Sequence, residues 1–218
     1  MEVILGGFMS IDGKVAPANR IGHTFTPFMK PVHKKILHKI RSEVDAIIVG
    51  VDTIIADDPL LTVREVEGKN PLRVILDSNA RTPLNAKVLN TNDAPTLIAT
   101  TKKASKTRID ALKNKSIDVI VTADTNGVDL HNLFTELELR GVKKILVEGG
   151  STVRWSFFKE NLVDQIFVWL LPYVWGGKDS PTLVDGEGFL KTSESIALKL
   201  QSMQTVDEII ILWFSVKH

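Results

Sequence analysis

Residues 144–152 run from a strand-length apolar stretch into Glu148-Gly-Gly-Ser-Thr152, an order of residue types that suits the binding of an anion. Gly149 and Gly150 let a backbone come close to a ligand, and the free amides of a first helical turn after them bind phosphate or pyrophosphate. Ser151 or Thr152 also serves as a cap for the amides of residues 153–155, so a plain strand-to-helix turn is the competing reading. Glu148 weighs toward a ligand, because a carboxylate at a strand end beside an anion-binding turn needs a reason to be there.

Other polar residues recur where apolar runs end. Thr53 and Asp57 lie one helical turn apart after the run 45–50 and face the same side, although Asp57-Asp58-Pro59 is also an ordinary helix stop. Arg64 follows an apolar Leu-Thr-Val stretch and by itself reads as a solvated charge. Residues 10–14, Ser-Ile-Asp-Gly-Lys, make a turn after the opening strand, and Asp12 leaves the same rim as the other turns if the strands are parallel. Residues 77–81, Asp-Ser-Asn-Ala-Arg, supply a hydroxyl, an amide and a guanidinium suited to a ribose phosphate, or form a simple polar turn.

Several chemistries are excluded. The chain has no cysteine, so disulfides, thiol catalysis, thiolate zinc sites and iron–sulfur clusters are ruled out. The dinucleotide fingerprint Gly-x-Gly-x-x-Gly is absent, and so are the Gly-x-Ser-x-Gly elbow and the His-Glu-x-x-His pair. His33 and His38 are poorly spaced for one helix face and point to no metal. The net charge of +1 lacks the basic blocks that nucleic acid needs. No basic leader opens the chain and no apolar run approaches about 20 residues, so a soluble, cytoplasmic protein without a membrane partner is expected.

The elements that must position these residues follow from the apolar pattern. Runs at 3–8, 46–49, 72–76, 96–99, 119–121, 145–147 and 165–171 are apolar on both faces, which predicts a covered, largely parallel sheet. Helical spacing over 31–44 places Val32, Ile36, Leu37, Ile40 and Val44 inward, with Pro31 at the first position. A second helix spans 129–140 with Gly141 as its stop, and a third starts at Ser151 or Thr152. The alternating stretch 196–204 and the run 209–214 predict a closing antiparallel hairpin. Residues 175–188 form a glycine-rich loop too long for a mere connector. At 218 residues and 44% hydrophobic content, one domain over 1–218 is expected.

Taken in order, the segments 10–14, 49–53, 57–64 and 147–152 resemble the pyrimidine reductase family of riboflavin biosynthesis, whose fold is shared with dihydrofolate reductase; the densest match is 37–64. The resemblance implies an α/β, dihydrofolate-reductase-like domain, a mostly parallel central sheet flanked by helices, and a C-terminal antiparallel hairpin. It implies reduction of a ribosylaminopyrimidine 5′-phosphate to its ribityl form by hydride transfer from NADPH to ribose C1′, with NADH as a weaker donor. It makes Thr53, Asp57, Ser78, Asn79, Ala80, Arg81, Gly149, Gly150, Ser151 and Thr152 cofactor contacts. Arg41, Leu61, Arg64 and Glu148 line the substrate side, with Asp12 and Glu148 as candidate catalytic groups. The lack of a cysteine-bearing deaminase segment points to the stand-alone archaeal and fungal type, acting on the 2,5-diamino pyrimidinone. The deaminated uracil compound, another reductase of this fold, and a non-catalytic nucleotide-binding regulator are the alternatives. A homodimer is implied by the family. The stretch 22–30 departs from the family where others place a substrate-binding serine, with Thr24 or Thr26 as its nearest counterparts.

Overall fold

The computed structural model describes residues 1–19, 28–122 and 127–217. In chain order the described elements are β1 (Glu2–Ser10), α1 (Pro31–Ser42), β2 (Ala46–Gly50), α2 (Val51–Asp57), β3 (Leu72–Leu76), β4 (Thr96–Thr101), α3 (Lys106–Lys113), β5 (Asp118–Thr122), α4 (Leu130–Leu139), β6 (Lys144–Gly149), α5 (Ser151–Lys159), β7 (Gln165–Leu171), β8 (Leu198–Val206) and β9 (Ile209–Val216). They fall into two compact units: residues 35–146 with Met1, and residues 2–34 with 147–218. β6 carries the chain from the first unit into the second.

In the first unit β2, β3, β4 and β5 pair in parallel, in the order β5-β4-β3-β2. β2 and β4 are buried along their whole length, which is why their sequences are nearly continuous in apolar or β-branched residues rather than alternating. Asp129 caps α4 by accepting the Asn132 N–H at 3.0 Å, and Gly141 ends it at φ +79°. The helix α3, with Ser105 as its cap, was not legible in the apolar pattern because only Leu112 of it is buried.

α1 starts at Pro31 as the sequence predicts, but its buried face differs. Val32 is 42% exposed, while His33, His38 and Arg41 are buried beside Ile40. The imidazoles are accommodated because each accepts a backbone N–H on Nδ1, His33 from Lys30 at 3.1 Å and His38 from Arg64 at 2.8 Å. Apolar spacing cannot register such satisfied polar residues.

In the second unit β1 pairs in parallel with β7, and β7 and β8 flank β9 antiparallel, giving the order β1-β7-β9-β8. The closing hairpin is therefore present, its first strand lying at Leu198–Val206 rather than 196–204, and it turns through Asp207 at φ 51°. Trp169 is fully buried, against Phe8 and His33. A Cβ added at Gly6 would lie 2.1 Å from Cζ of Phe167, a ring only 1% exposed that also meets Trp213. Gly6→Ala is accordingly expected to lower stability by about 1–3 kcal/mol through overpacking, read as a lower urea midpoint; an unchanged midpoint means the ring has room to move.

Candidate active site

In the first unit, α2 begins directly after β2 with Gly50 as its cap and no side-chain capping bond. Thr53 and Asp57 are half-buried on this short helix. Asp58 ends it at φ 40°, and its carboxylate accepts the Lys87 N–H at 2.8 Å, so the residues that stop the helix also tie down the loop that follows. Arg73 holds the next carbonyl. Fully buried in β3, it donates to Leu60 O (3.3 Å), Asn90 O (2.9 Å), Ala94 O (2.6 Å) and Thr96 Oγ1 (3.0 Å). Burial pushes its pKa down from the usual arginine value, with Asp93 opposing the shift.

Leu61 follows at φ 52° and is almost fully buried, so Arg64 is the solvent-open member of the set Arg41, Leu61 and Arg64. The two arginines converge on one residue. Arg41 Nη1 donates to the Thr62 carbonyl at 3.3 Å, and Arg64 Nη1 donates to that carbonyl at 3.4 Å and to Thr62 Oγ1 at 2.6 Å. Two guanidinium groups that meet at one residue bring planar, charged donors together, the kind of group that binds an oxyanion.

The turn after β3 is organised from beneath by Asp77, which is fully buried. Its carboxylate accepts the Arg81 N–H (2.8 Å), the Thr82 N–H (2.7 Å) and the Thr82 hydroxyl (2.7 Å). Ala80 sits at φ 53°. Ser78 is half-buried with its carbonyl taken by Thr100, Thr101 and the Thr101 N–H, while Asn79 and Arg81 face solvent. Arg81 pairs with Asp52 at 2.7 Å. Arg108 of α3 adds a second cation, donating to the carbonyls of Ala80 (2.9 Å) and Thr82 (2.6 Å).

In the second unit β6 leads through Glu148, Gly149 and Gly150 into α5, and the Gly149–Gly150 peptide is cis. The cap of α5 is Gly150, which makes no side-chain capping bond. This corrects the expectation that Ser151 or Thr152 caps the helix: Ser151 is its first residue, and its hydroxyl bonds Asp185 instead. A glycine cap leaves the first-turn amides without a side-chain oxygen over them, as an incoming phosphate requires. Arg154 supports this end of the helix from within. It is buried, and its guanidinium donates to the carbonyls of Glu148 (2.5 Å), Gly6 (2.9 Å) and Leu183 (3.2 Å). Burial brings its pKa down to about 10, opposed by the nearby carboxylates of Glu148 and Asp185, so it remains a cation at neutral pH.

The glycine-rich loop is strapped along α5. Leu183 is held by Arg154, the Asp185 N–H donates to Ser151 O (3.3 Å), Phe189 stacks edge-on against Trp155, and Glu187 pairs with Lys159. Its beginning is held by Asp12, whose carboxylate accepts the Ser10 hydroxyl (2.5 Å), the Gly176 N–H (2.7 Å) and the Trp175 N–H (3.2 Å). The Ser10 hydroxyl, joined by those two amides and opposed by desolvation, lowers the Asp12 pKa to about 2. Asp12 is thus ionised at neutral pH. Thr24 and Thr26 lie outside the described residues.

The family model of the RibD C-terminal domain matches residues 1–212. The chain belongs to this family. It is 43% identical over 201 residues, 92% of this chain and 89% of the relative, to the Aquifex aeolicus protein named 2,5-diamino-6-ribosylamino-4(3H)-pyrimidinone 5′-phosphate reductase. It is 40% identical over 218 residues, 99% of this chain and 98% of the relative, to the Methanothermobacter thermautotrophicus protein of the same name. Among solved structures it is similar to Acinetobacter baumannii RibD, with a TM-score of 0.82 and 24% identity over 100% of this chain and 58% of that one. A TM-score of 0.55 with Enterococcus faecalis dihydrofolate reductase, at 9% identity over 100% of this chain and 97% of that one, extends the likeness of fold beyond the family.

For this RibD family chain, the sequence reading named Arg41, Arg64, Arg81 and Glu148 but passed over the groups that hold their surroundings: Arg73, Asp77, Arg108 and Arg154. Arg73 carried a signal, a charge inside the apolar run Leu-Arg-Val-Ile-Leu. Arg154 carried a weaker one, a lone cation four residues past the Gly-Gly turn.

Proposed function

We propose that this chain reduces the ribosyl group of 2,5-diamino-6-ribosylamino-4(3H)-pyrimidinone 5′-phosphate to ribityl in riboflavin biosynthesis, with NADPH as donor, and that residues 1–218 act as one domain. The observation that carries the reading is identity of 40–43% over nearly the whole chain to two proteins bearing that activity in their names. The single-domain reading is supported by one family model running over residues 1–212.

Each unit offers donors of the kinds that a nicotinamide dinucleotide takes. NADPH, when bound, supplies the hydride that reaches ribose C1′ of the opened aminoribose. Gly149, Gly150, Ser151 and Thr152 take its pyrophosphate, the glycine cap leaving helix amides to donate. Thr53 and Asp57 offer a hydroxyl and a carboxylate to its polar groups, and Ser78, Asn79, Ala80 and Arg81 receive the adenosine ribose phosphate. On the substrate side Arg41 and Arg64 hold the 5′-phosphate, the Leu61 backbone shapes the loop before Arg64, and Glu148 accepts from the amino and ring N–H groups of the pyrimidine. Asp12 fits an anchoring role for the glycine-rich loop better than a proton relay, given its depressed pKa. A homodimer is supported by the exposed apolar residues Leu198, Leu200 and Met203 of β8. Among the described residues no helix is long and apolar enough to cross a membrane, in keeping with a cytoplasmic enzyme.

The test is loss of reduced-nicotinamide absorbance with NADPH and, in turn, the freshly generated diamino substrate, its deaminated uracil counterpart and dihydrofolate. Fastest turnover of the diamino compound supports the proposal, and preference for the uracil transfers it to the other pathway order. No turnover with either, while NADPH binds, leaves a nicotinamide-binding protein. Arg81→Ala is expected to raise the KM for NADPH about tenfold and that for NADH far less, since a 2′-phosphate interacts with the guanidinium at charge-assisted strength. Equal losses remove Arg81 from that role.

A further inference from the structure

Each of three successive backbone groups at residues 62–64 is held by a side chain from elsewhere in the first unit. The Thr62 carbonyl accepts from Arg41 at 3.3 Å, the Val63 N–H donates to Asn70 Oδ1 at 2.7 Å, and the Arg64 N–H donates to His38 Nδ1 at 2.8 Å. His38 is 4% exposed and lies three residues before Arg41 on α1, so one helix face supplies both an arginine and the imidazole that fixes the other arginine's backbone. A backbone amide only donates, so Nδ1 of His38 bears no proton and the ring is in the Nε2–H form. The far end of Arg64 is tied to Thr62 through its hydroxyl at 2.6 Å. Arg64 is therefore aimed from two ends, its backbone by His38 and its guanidinium by Thr62.

We infer that His38 is a positioning residue for substrate binding: its neutral imidazole, acting through the Arg64 N–H, sets Arg64 beside Arg41 to receive the substrate's phosphate. This rests on the reading of Arg41 and Arg64 as the phosphate-holding pair. A buried histidine that merely fills space in α1 would leave substrate affinity dependent on overall stability alone. The proposed role instead couples His38 to one side chain.

The experiment is a double-mutant cycle of His38→Leu and Arg64→Ala, with His38→Asn as the conservative variant, on the full chain. His38→Leu keeps the bulk and removes the acceptor. It is expected to raise the KM for the diamino substrate about tenfold, the scale of one lost buried hydrogen bond, with the KM for NADPH changed less than about twofold. His38→Asn, whose Oδ1 falls near the place of Nδ1, is expected to recover most of the affinity. In the Arg64→Ala background the leucine is expected to add less than about twofold. An equal rise in both KM values, or the same rise with and without Arg64, overturns the inference. Should the leucine variant fail to fold, His38→Met takes its place in the cycle under the same criteria. Dissociation of ribose 5-phosphate, measured on the same four proteins, keeps the two readings apart. Wild-type protein that binds it but turns over neither ribosylaminopyrimidine strikes the substrate assignment, whereas an additive cycle in its dissociation strikes only His38.

Discussion

Arg73→Met is expected to destabilise the protein by about 4 kcal/mol, because buried carbonyls left without a donor cost about 1–3 kcal/mol each. Arg73 supplies hydrogen bonds to the Leu60, Asn90 and Ala94 carbonyls, and methionine can fill its volume but donate to none of them, although the Asn90 carbonyl keeps the Asp93 N–H at 3.3 Å. A loss of that size is a large fraction of the roughly 5–15 kcal/mol that holds a domain together. The urea midpoint should fall strongly with an unchanged slope. Arg73→Lys should recover only part of it, since one ammonium cannot reproduce the planar fork that reaches several acceptors at once. The variant also frees the carbonyl just before Leu61, so the substrate KM should rise at temperatures where the protein is still folded. A midpoint within experimental error of wild type would mean that the loop ending at Leu61 and the segment around Asn90 are held by something other than Arg73.

Arg64→Ala should do the reverse, sparing the fold and damaging binding. Its side chain faces solvent, and surface replacements of this kind stay within about 0.5 kcal/mol of wild type. Removing a charge-assisted contact to a phosphate, worth about 1.5–3 kcal/mol, should raise the substrate KM roughly 10- to 100-fold. The KM for NADPH should not move. Raised ionic strength should weaken wild-type substrate binding more than that of the variant, since the lost interaction is the one that salt screens. Arg41→Ala should act in the same direction with an added loss of stability, because Arg41 is buried and also donates to the Thr62 carbonyl. An unchanged substrate KM in Arg64→Ala would move the phosphate to other cations.

The contrast between these two arginines reflects how each was visible. Arg64 by itself reads as a solvated charge, and its place in an ordered series of segments resembling the pyrimidine reductase family singled it out. Arg73 lies inside a strand whose apolar residues already accounted for the run, and its four acceptors lie up to 23 positions from it in the chain. The same holds for Arg154, which gathers Gly6, Glu148 and Leu183. A cation's acceptors are set by folding, and no local pattern encodes them.

The histidines make a similar point. Their spacing spoke against a shared helix face, yet both are buried, since His33 accepts Lys30's amide while its Nε2 meets the Val206 carbonyl at 3.0 Å, and His38 accepts Arg64's amide. Periodicity reports where apolar groups go; polar groups follow available partners. At α5 the residues Gly-Gly-Ser-Thr announced a helix start, but Gly150 is the cap and Ser151 the first helical residue, its hydroxyl bonded to Asp185.

The amino-acid sequence by itself determined the α/β class, the strand-length runs, the hairpin at the C-terminus, the absence of cysteine chemistry and the family to which the chain belongs, because these depend on local periodicity, composition and ordered motifs. Only the tertiary structure decided that Arg41 and Arg64 meet at Thr62, that Asp77 and Arg108 brace the turn bearing Arg81, and that Asp12 is committed to the glycine-rich loop. Those facts depend on hydrogen bonds between distant residues, whose geometry exists only once the chain has folded.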